Sequence, residues 1–262
     1  MGRKIKVEDL KFFSGGGGTN VACALARLGF KTAYLGKVGD DRAGQLVLDE
    51  MQQCGVSVSL VKKDRKRETA LSVVVSAYGA DRTALVYQGA CHYFTKREVA
   101  WPRIKKAKWF YLAPLREKSA ELFKPLVVFA KKNRIKVAIN PSQEQRGLLG
   151  LLKDVQLLIV NREEARSFGG AKALTSRGRA IVVITEGEKG AVAYSPQGVF
   201  RVRPRKIKVI DKTGAGDAFG AGFLAGLLLK DDIRYAINLA NKNAEGCIKQ
   251  LGAKIGLKSR II

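Results

Sequence analysis

Asp217 closes the run Asp211-Lys212-Thr213-Gly214-Ala215-Gly216-Asp217, and a helical pattern rich in glycine and alanine follows to about Leu229. Small residues at the head of that helix leave the backbone N–H groups of Gly214, Ala215 and Gly216 open to an incoming group. A helix N-terminus carries partial positive charge and unpaired donors, so an anion such as phosphate is the expected guest. Asp217 lies one turn in, ionised at neutral pH and able to take a proton from a hydroxyl. Together these features read as phosphoryl transfer to an alcohol. A plain glycine-softened turn with a helix-capping Asp would use the same residues. Gly220, Gly222 and Gly226 each cost that helix about 1 kcal/mol against Ala, which predicts that something packs close to its backbone.

A second polar stretch, Ser14-Gly15-Gly16-Gly17-Gly18-Thr19-Asn20, opens an amphipathic helix with Val21, Ala24, Leu25 and Leu28 on one face and Gly29 as C-cap. Bare glycine backbone lets a ligand come close, and Asn20 offers both a donor and an acceptor, which suits sugar hydroxyls. A flexible linker before a helix would have the same composition.

Asp-x-Thr-Gly-Ala-Gly-Asp before a Gly/Ala-rich helix resembles the second signature of the ribokinase-like (PfkB) carbohydrate kinases. Gly15-Gly16-x-Gly18-x-Asn20-x-Ala22, with Gly29 and Gly39 beyond, is similar to the first. The resemblance implies an ATP-dependent kinase that moves the γ-phosphoryl group to a hydroxyl of a sugar or nucleoside. It makes Asp217 the general base, Gly214, Ala215 and Gly216 the anion hole, and Gly15, Gly16 and Asn20 the substrate contacts. It assigns Asn161, Glu164, Thr185, Gly187, Gly190 and Asn241 to the nucleotide, with Glu164 organising Mg2+. Asp211 and Thr213 match positions that hold a monovalent cation, such as K+, in some members. Lys212 departs from the pattern, which usually has a small residue there.

Asn161-Arg162-Glu163-Glu164 has two readings. A carboxylate near a helix start is common for capping alone. Mg2+ keeps several waters and needs only one or two carboxylates, so the sparse motif would also serve a metal.

The elements that must position these groups follow from pattern. Strand-like runs at 108–113, 136–140, 155–160 and 180–185 alternate with helix-like stretches at 118–132, 144–152 and 161–168. Such alternation predicts an α/β fold, a mostly parallel central sheet with helices on both faces. Ligands in such sheets sit at the carboxyl ends of the strands, where Asn161, Thr185 and the 211–217 run fall. Ala33–Val38 reads as a buried strand, 43–53 and about 232–250 as helices, 190–203 as short antiparallel strands, and Ile207–Ile210 as a strand entering the Asp217 stretch. Two β-rich runs within 69–88, around Tyr78-Gly79-Ala80-Asp81-Arg82, read as a hairpin and a candidate lid. The chain reads as a single domain over 1–262, with 1–13 a shortened segment. Compared with the resembled family, an N-terminal strand is missing. A gap in the sheet is therefore expected, covered by rearranged strands or by a second subunit such as a homodimer partner, with weakened acceptor binding.

Composition excludes several classes. The chain of 262 residues is 46% hydrophobic, as a globular protein is. No apolar run approaches the ~20 residues that span a bilayer, and the N-terminus has no signal-peptide core. Four scattered cysteines and one histidine argue against a zinc site and fit a reducing cytoplasm. No Gly-x-Gly-x-x-Gly follows a first strand and no Gly-x-x-x-x-Gly-Lys-Ser/Thr occurs, so neither a dinucleotide fold nor a P-loop is indicated. The formal charge of +25 suits a nucleic-acid partner, yet Lys and Arg are spread along the chain, and the densest run, Lys62 to Arg67, is short and lacks interleaved aromatics, as on a solvated surface. A catalytically impaired kinase fold binding nucleotide or nucleic acid is the alternative reading.

Overall fold

The structure is a computed structural model that describes residues 6–75, 83–141, 146–176 and 180–259. α1 (Gly17–Arg27) leads to β1 (Ala33–Gly39), α2 (Arg42–Gln53) and β2 (Ser57–Asp64), then to β3 (Leu71–Val75) and β4 (Thr83–Tyr87). After the short α3 (Trp101–Ile104), β5 (Trp109–Leu112), β6 (Lys136–Ile139), β7 (Leu157–Asn161) and β8 (Ile181–Thr185) alternate with helical segments, among them α4 (Phe123–Lys132), α5 (Arg162–Ser167) and α6 (Gly170–Thr175). β9 (Ala191–Ser195), β10 (Gly198–Val202), α7 (Ala215–Lys230) and α8 (Ile233–Cys247) complete the chain.

A six-stranded sheet runs in the order β10-β9-β8-β7-β6-β5. β5 to β8 are parallel, and β9 is antiparallel to both neighbours. Strand side chains alternate between faces. Val137, Ile139, Leu158, Val160, Val182 and Ile184 pack with α4, α5 and α6. Ala138, Leu157, Ile159 and Val183 pack with α1, α7 and α8. The α/β sheet covered on both faces is thus as expected, with the candidate site on the α1/α7 side.

α7 is apolar on every side, as a helix buried all round must be. Its glycines have the expected purpose. A Cβ on Gly222 would lie 2.8 Å from the Ala240 Cα, and one on Gly226 would lie 2.4 Å from the Ala236 Cα. Bare backbone lets α8 sit directly on α7.

The sheet is in two pieces among the described residues. β1 pairs only with β2, in parallel, and β5 ends the larger sheet. The Tyr34 ring lies so close to Gly18 and Gly36 that a Cβ would come within 2.9 Å and 2.6 Å of it, and Gly18 also faces Ala113 just past β5. A ring and the start of α1 therefore bridge the two sheets. Residues 6–13 carry no strand.

Four local expectations need correction. Ile207–Ile210 is not a strand: the amides of Ile210 and Asp211 both turn to the Ile248 carbonyl at the end of α8, at 2.8 and 3.3 Å, so they are spent on a helix cap. β2 has no counterpart in the sequence reading, because Ser57-Val58-Ser59-Leu60 alternates over only four residues before the charged Lys62-Lys63-Asp64. The stretch at 118–132 begins as a 3-10 turn, Glu117–Leu122, before α4. The helix expected at 144–152 is a 3-10 helix, Arg146–Asp154, with 144 and 145 outside the described residues. The expected hairpin turn, Tyr78 to Arg82, also lies outside the described residues.

Candidate active site

Asp217 stands on the first turn of α7 and accepts a hydrogen bond from Asn20 Nδ2 of α1 at 2.7 Å. The two motifs are thereby joined at one carboxylate. Its other oxygen faces Gly17, where a Cβ would lie 3.2 Å away. Any side chain at residue 17 would press on the carboxylate, a role the sequence reading did not give to Gly17. Burial pushes the Asp217 carboxyl above its ordinary value, and the Asn20 bond and the Lys254 charge partly oppose that push. A buried carboxylate with few donors is a stronger base than one in water.

Gly214 caps α7 in the left-handed conformation, with φ of 77°. Glycine is required there twice over, since a Cβ would also meet the Ala253 Cβ at 2.4 Å. Of the three amides expected to face an anion, Ala215 N–H already makes a long 3.3 Å bond to the Lys212 carbonyl.

Asp211 is buried and holds the approach to this turn. One oxygen accepts from Thr213 N and Thr213 Oγ1 at 3.0 and 2.7 Å, and the other from Gly252 N at 3.0 Å. Lys212, the departure from the family pattern, points out and pairs with Glu188 at 3.1 Å. That surface pair ties the 185–190 turn to the Asp217 stretch, with little energy of its own.

Asn161 and Thr185 end adjacent strands and are register partners. Asn161 and Glu164 form a reciprocal capping box: each side chain accepts from the other's backbone N–H at 2.8 Å. One Glu164 oxygen remains outside that box, and burial raises its carboxyl above the usual value. No cluster of three metal-ligating side chains occurs among the described residues. A lone carboxylate oxygen fits an ion that keeps its waters and leans on phosphate, as Mg2+ does. Gly190 lets the 185–190 turn close, since a Cβ there would lie 1.9 Å from the Val202 carbonyl oxygen. Asn241 donates to Glu245, which also binds Arg205.

Residues 2–260 match the pfkB family of carbohydrate kinases. The chain belongs to that family. It is 31% identical over 249 residues to an uncharacterized sugar kinase from Archaeoglobus fulgidus, covering 89% of this chain and 97% of that one. It is 26% identical to the ribokinase of Haemophilus influenzae, over 99% and 89% of the two chains. Among solved structures, a candidate ribokinase II from E. coli in complex with ATP and Mg2+ superposes with a TM-score of 0.86 at 21% identity, over 98% and 90% of the chains. The ribokinase-like fold is therefore that of this pfkB member, and none of its described helices is long and apolar enough to cross a membrane.

Within this pfkB fold, β3 and β4 stand apart as a two-stranded antiparallel ribbon, every residue of which is exposed. Its root is fixed. Asp41 caps α2 through Gly44 N at 2.6 Å and takes both Thr69 N and Thr69 Oγ1 at 2.7 Å. Burial pushes that carboxyl up, but the Thr69 and Gly44 donors outweigh it and hold it below the usual range. Sequence reading also missed Tyr111 and Asn243. The Tyr111 hydroxyl is buried without a hydrogen-bond partner among the described residues and lies where a Cβ on Gly220 would be, 2.3 Å away. Asn243, fully buried, donates to the Ala218 carbonyl at 2.7 Å and pins α8 to the turn bearing Asp217. An aromatic in a strand and an Asn in a helix carry no signal of such roles.

Proposed function

We propose that the protein transfers the γ-phosphoryl group of ATP to a hydroxyl of a sugar or nucleoside, with Asp217 as general base. The observation that carries this reading is the Asn20–Asp217 bond, which sets a buried carboxylate between the glycine loop and the head of α7. Asp217 takes the acceptor's proton while the hydroxyl oxygen attacks in line. Amides at the start of α7 steady the charge on the transferring oxygens. Asn20, with its Oδ1 buried and unbonded among the described residues, has an acceptor left for a substrate hydroxyl. Mg2+ beside Glu164 would neutralise charge on the phosphates, and Asp211 with Thr213 would help to hold K+. Thr185, Gly187, Gly190 and Asn241 would line the nucleotide, and Gly15 and Gly16 the acceptor.

We also propose a homodimer, for which the β3–β4 ribbon offers a surface. A lone two-stranded ribbon is marginal in water, and Leu71, Val73, Leu85 and Val86 are all more than half exposed on it. A second copy covering that surface would make the protein a dimer by sedimentation. The test of function is ATP consumption, with Mg2+, across D-ribose, D-fructose and adenosine. Turnover of one acceptor well above the no-acceptor rate supports the reading, and no acceptor-dependent turnover across sugars and nucleosides overturns it.

A further inference from the structure

The turn Gly252-Ala253-Lys254, which follows α8, touches both halves of the site residue by residue. Gly252 N donates to Asp211, and a Cβ on Gly252 would lie 2.7 Å from the Phe13 ring. Ala253 packs on Gly214, the residue that opens the phosphate-facing turn. Lys254 then runs inward. Its side chain is 3% exposed, its ammonium donates to Ser14 Oγ, and Glu50 of α2 lies 3.5 Å away. Its carbonyl accepts from Arg27 of α1 at 2.6 Å. Two consecutive residues ahead of the glycine loop, Phe13 and Ser14, are thus seated on two of these three.

A lysine is rarely buried unless its charge is used. Here one neutral hydroxyl and one partly exposed carboxylate meet it, a thin set of partners for an ammonium with three donors. A methionine would fill the same channel at lower desolvation cost. The charge therefore has a purpose beyond packing. Its reach extends to Asp217, whose carboxyl it pulls down against burial.

We propose that Lys254 is a positioning residue that fixes where the loop from Ser14 to Gly16 sits relative to Asp217. This rests on the reading of Gly15, Gly16 and Asn20 as acceptor contacts. Thr19 carries the restraint into the loop, since its hydroxyl bonds the carbonyls of Gly15 and Gly16 at 2.7 and 2.9 Å. The loop is otherwise bare glycine with exposed backbone, so without the ammonium its position relative to the carboxylate is loosely set.

The test is amide hydrogen exchange on the full chain, which needs no acceptor and no turnover. Lys254→Met should speed exchange across Gly15–Asn20 by about tenfold, the effect of losing a charge-assisted hydrogen bond, while β6 to β8 stay protected. Ser14→Ala should give the same local effect, and the double variant no more than either alone. Glu50→Gln, which leaves the Ser14 contact in place, should change the loop little. With D-fructose and D-ribose as acceptor probes, the acceptor KM should rise about tenfold in Lys254→Met and the ATP KM should stay within about twofold. Unchanged exchange at 15–20 in Ser14→Ala overturns the proposal, even if Lys254→Met loosens the whole fold. So does additivity in the double variant, or an equal rise in both KM values. Failure of wild-type turnover would overturn the kinase reading and leave the exchange result to decide the positioning role.

Discussion

Asn20 and Asp217 are hydrogen-bonded at 2.7 Å although 197 residues separate them in the chain. Each begins a helix, and both helices lie against the same face of the sheet, in one apolar cluster. The Asp217 carboxylate is therefore oriented by the residue that closes the glycine loop.

Asp217→Asn should lower kcat by roughly 10²–10⁴-fold, the range of general-base catalysis, with ATP affinity by calorimetry nearly unchanged. Near-normal turnover would remove Asp217 from the chemistry. Stability should move the other way. A carboxyl whose folded pKa is raised favours the fold fully below its unfolded value, and that advantage is lost as pH rises through the folded pKa. The ionised form thus opposes folding at pH 7, so the Asn variant should have the higher Tm there, with the gap narrowing near pH 4.

The same shift fixes the pH dependence of rate. The acid limb of kcat/KM should fall above the ordinary Asp range, because Asp217 must be ionised to act and burial favours its neutral form. An acid limb at or below about pH 3.9 would mean that the base is another group.

Glu164→Gln separates two roles. Gln serves as well as Glu in a capping box, so Tm should hardly change. If the remaining carboxylate oxygen helps to place Mg2+, the concentration giving half-maximal rate should rise several-fold. An unchanged Mg2+ titration leaves Glu164 as a cap alone.

Lys37 is buried and bonds Asp64 at 2.7 Å and Glu98 at 2.9 Å. Removing it leaves two carboxylates facing each other, so Lys37→Met should cost about 3–5 kcal/mol in urea unfolding at pH 7. The Lys37 bond holds the Asp64 carboxyl below its usual value. That contribution is present above the unfolded pKa and is lost as pH falls through the folded one. The gap between wild type and variant should therefore close in acid.

The fold was legible where pattern and burial agree. Val137, Leu158 and Val182 sit in unbroken apolar runs with helices between them, and that is enough to indicate parallel strands, as β5 to β8 are. β2 was hidden because exposed Lys62 and Lys63 and the charged Asp64 fill its second half. Ile207–Ile210 misled because its branched side chains suit a strand, while the amides of Ile210 and the following Asp211 are taken by the end of α8. Among site residues, Asn20 and Asp217 announce themselves through glycines and spacing. Gly17, Tyr111 and Asn243 matter through what lies opposite them in space, and sequence spacing carries no record of that.

The reach of the Asn20–Asp217 bond also bears on how the protein comes into being. At about 5–20 residues per second, synthesis takes on the order of 10–40 s to travel the 197 residues from Asn20 to Asp217. Until then the apolar face of α1 lacks the larger share of its partners, for α7 and α8 supply most of the cluster it joins. A growing chain thus holds its first motif idle, exposed to chaperones and proteases, for most of translation. An interrupted product lacking the last quarter would carry the glycine loop without Asp217 beside it.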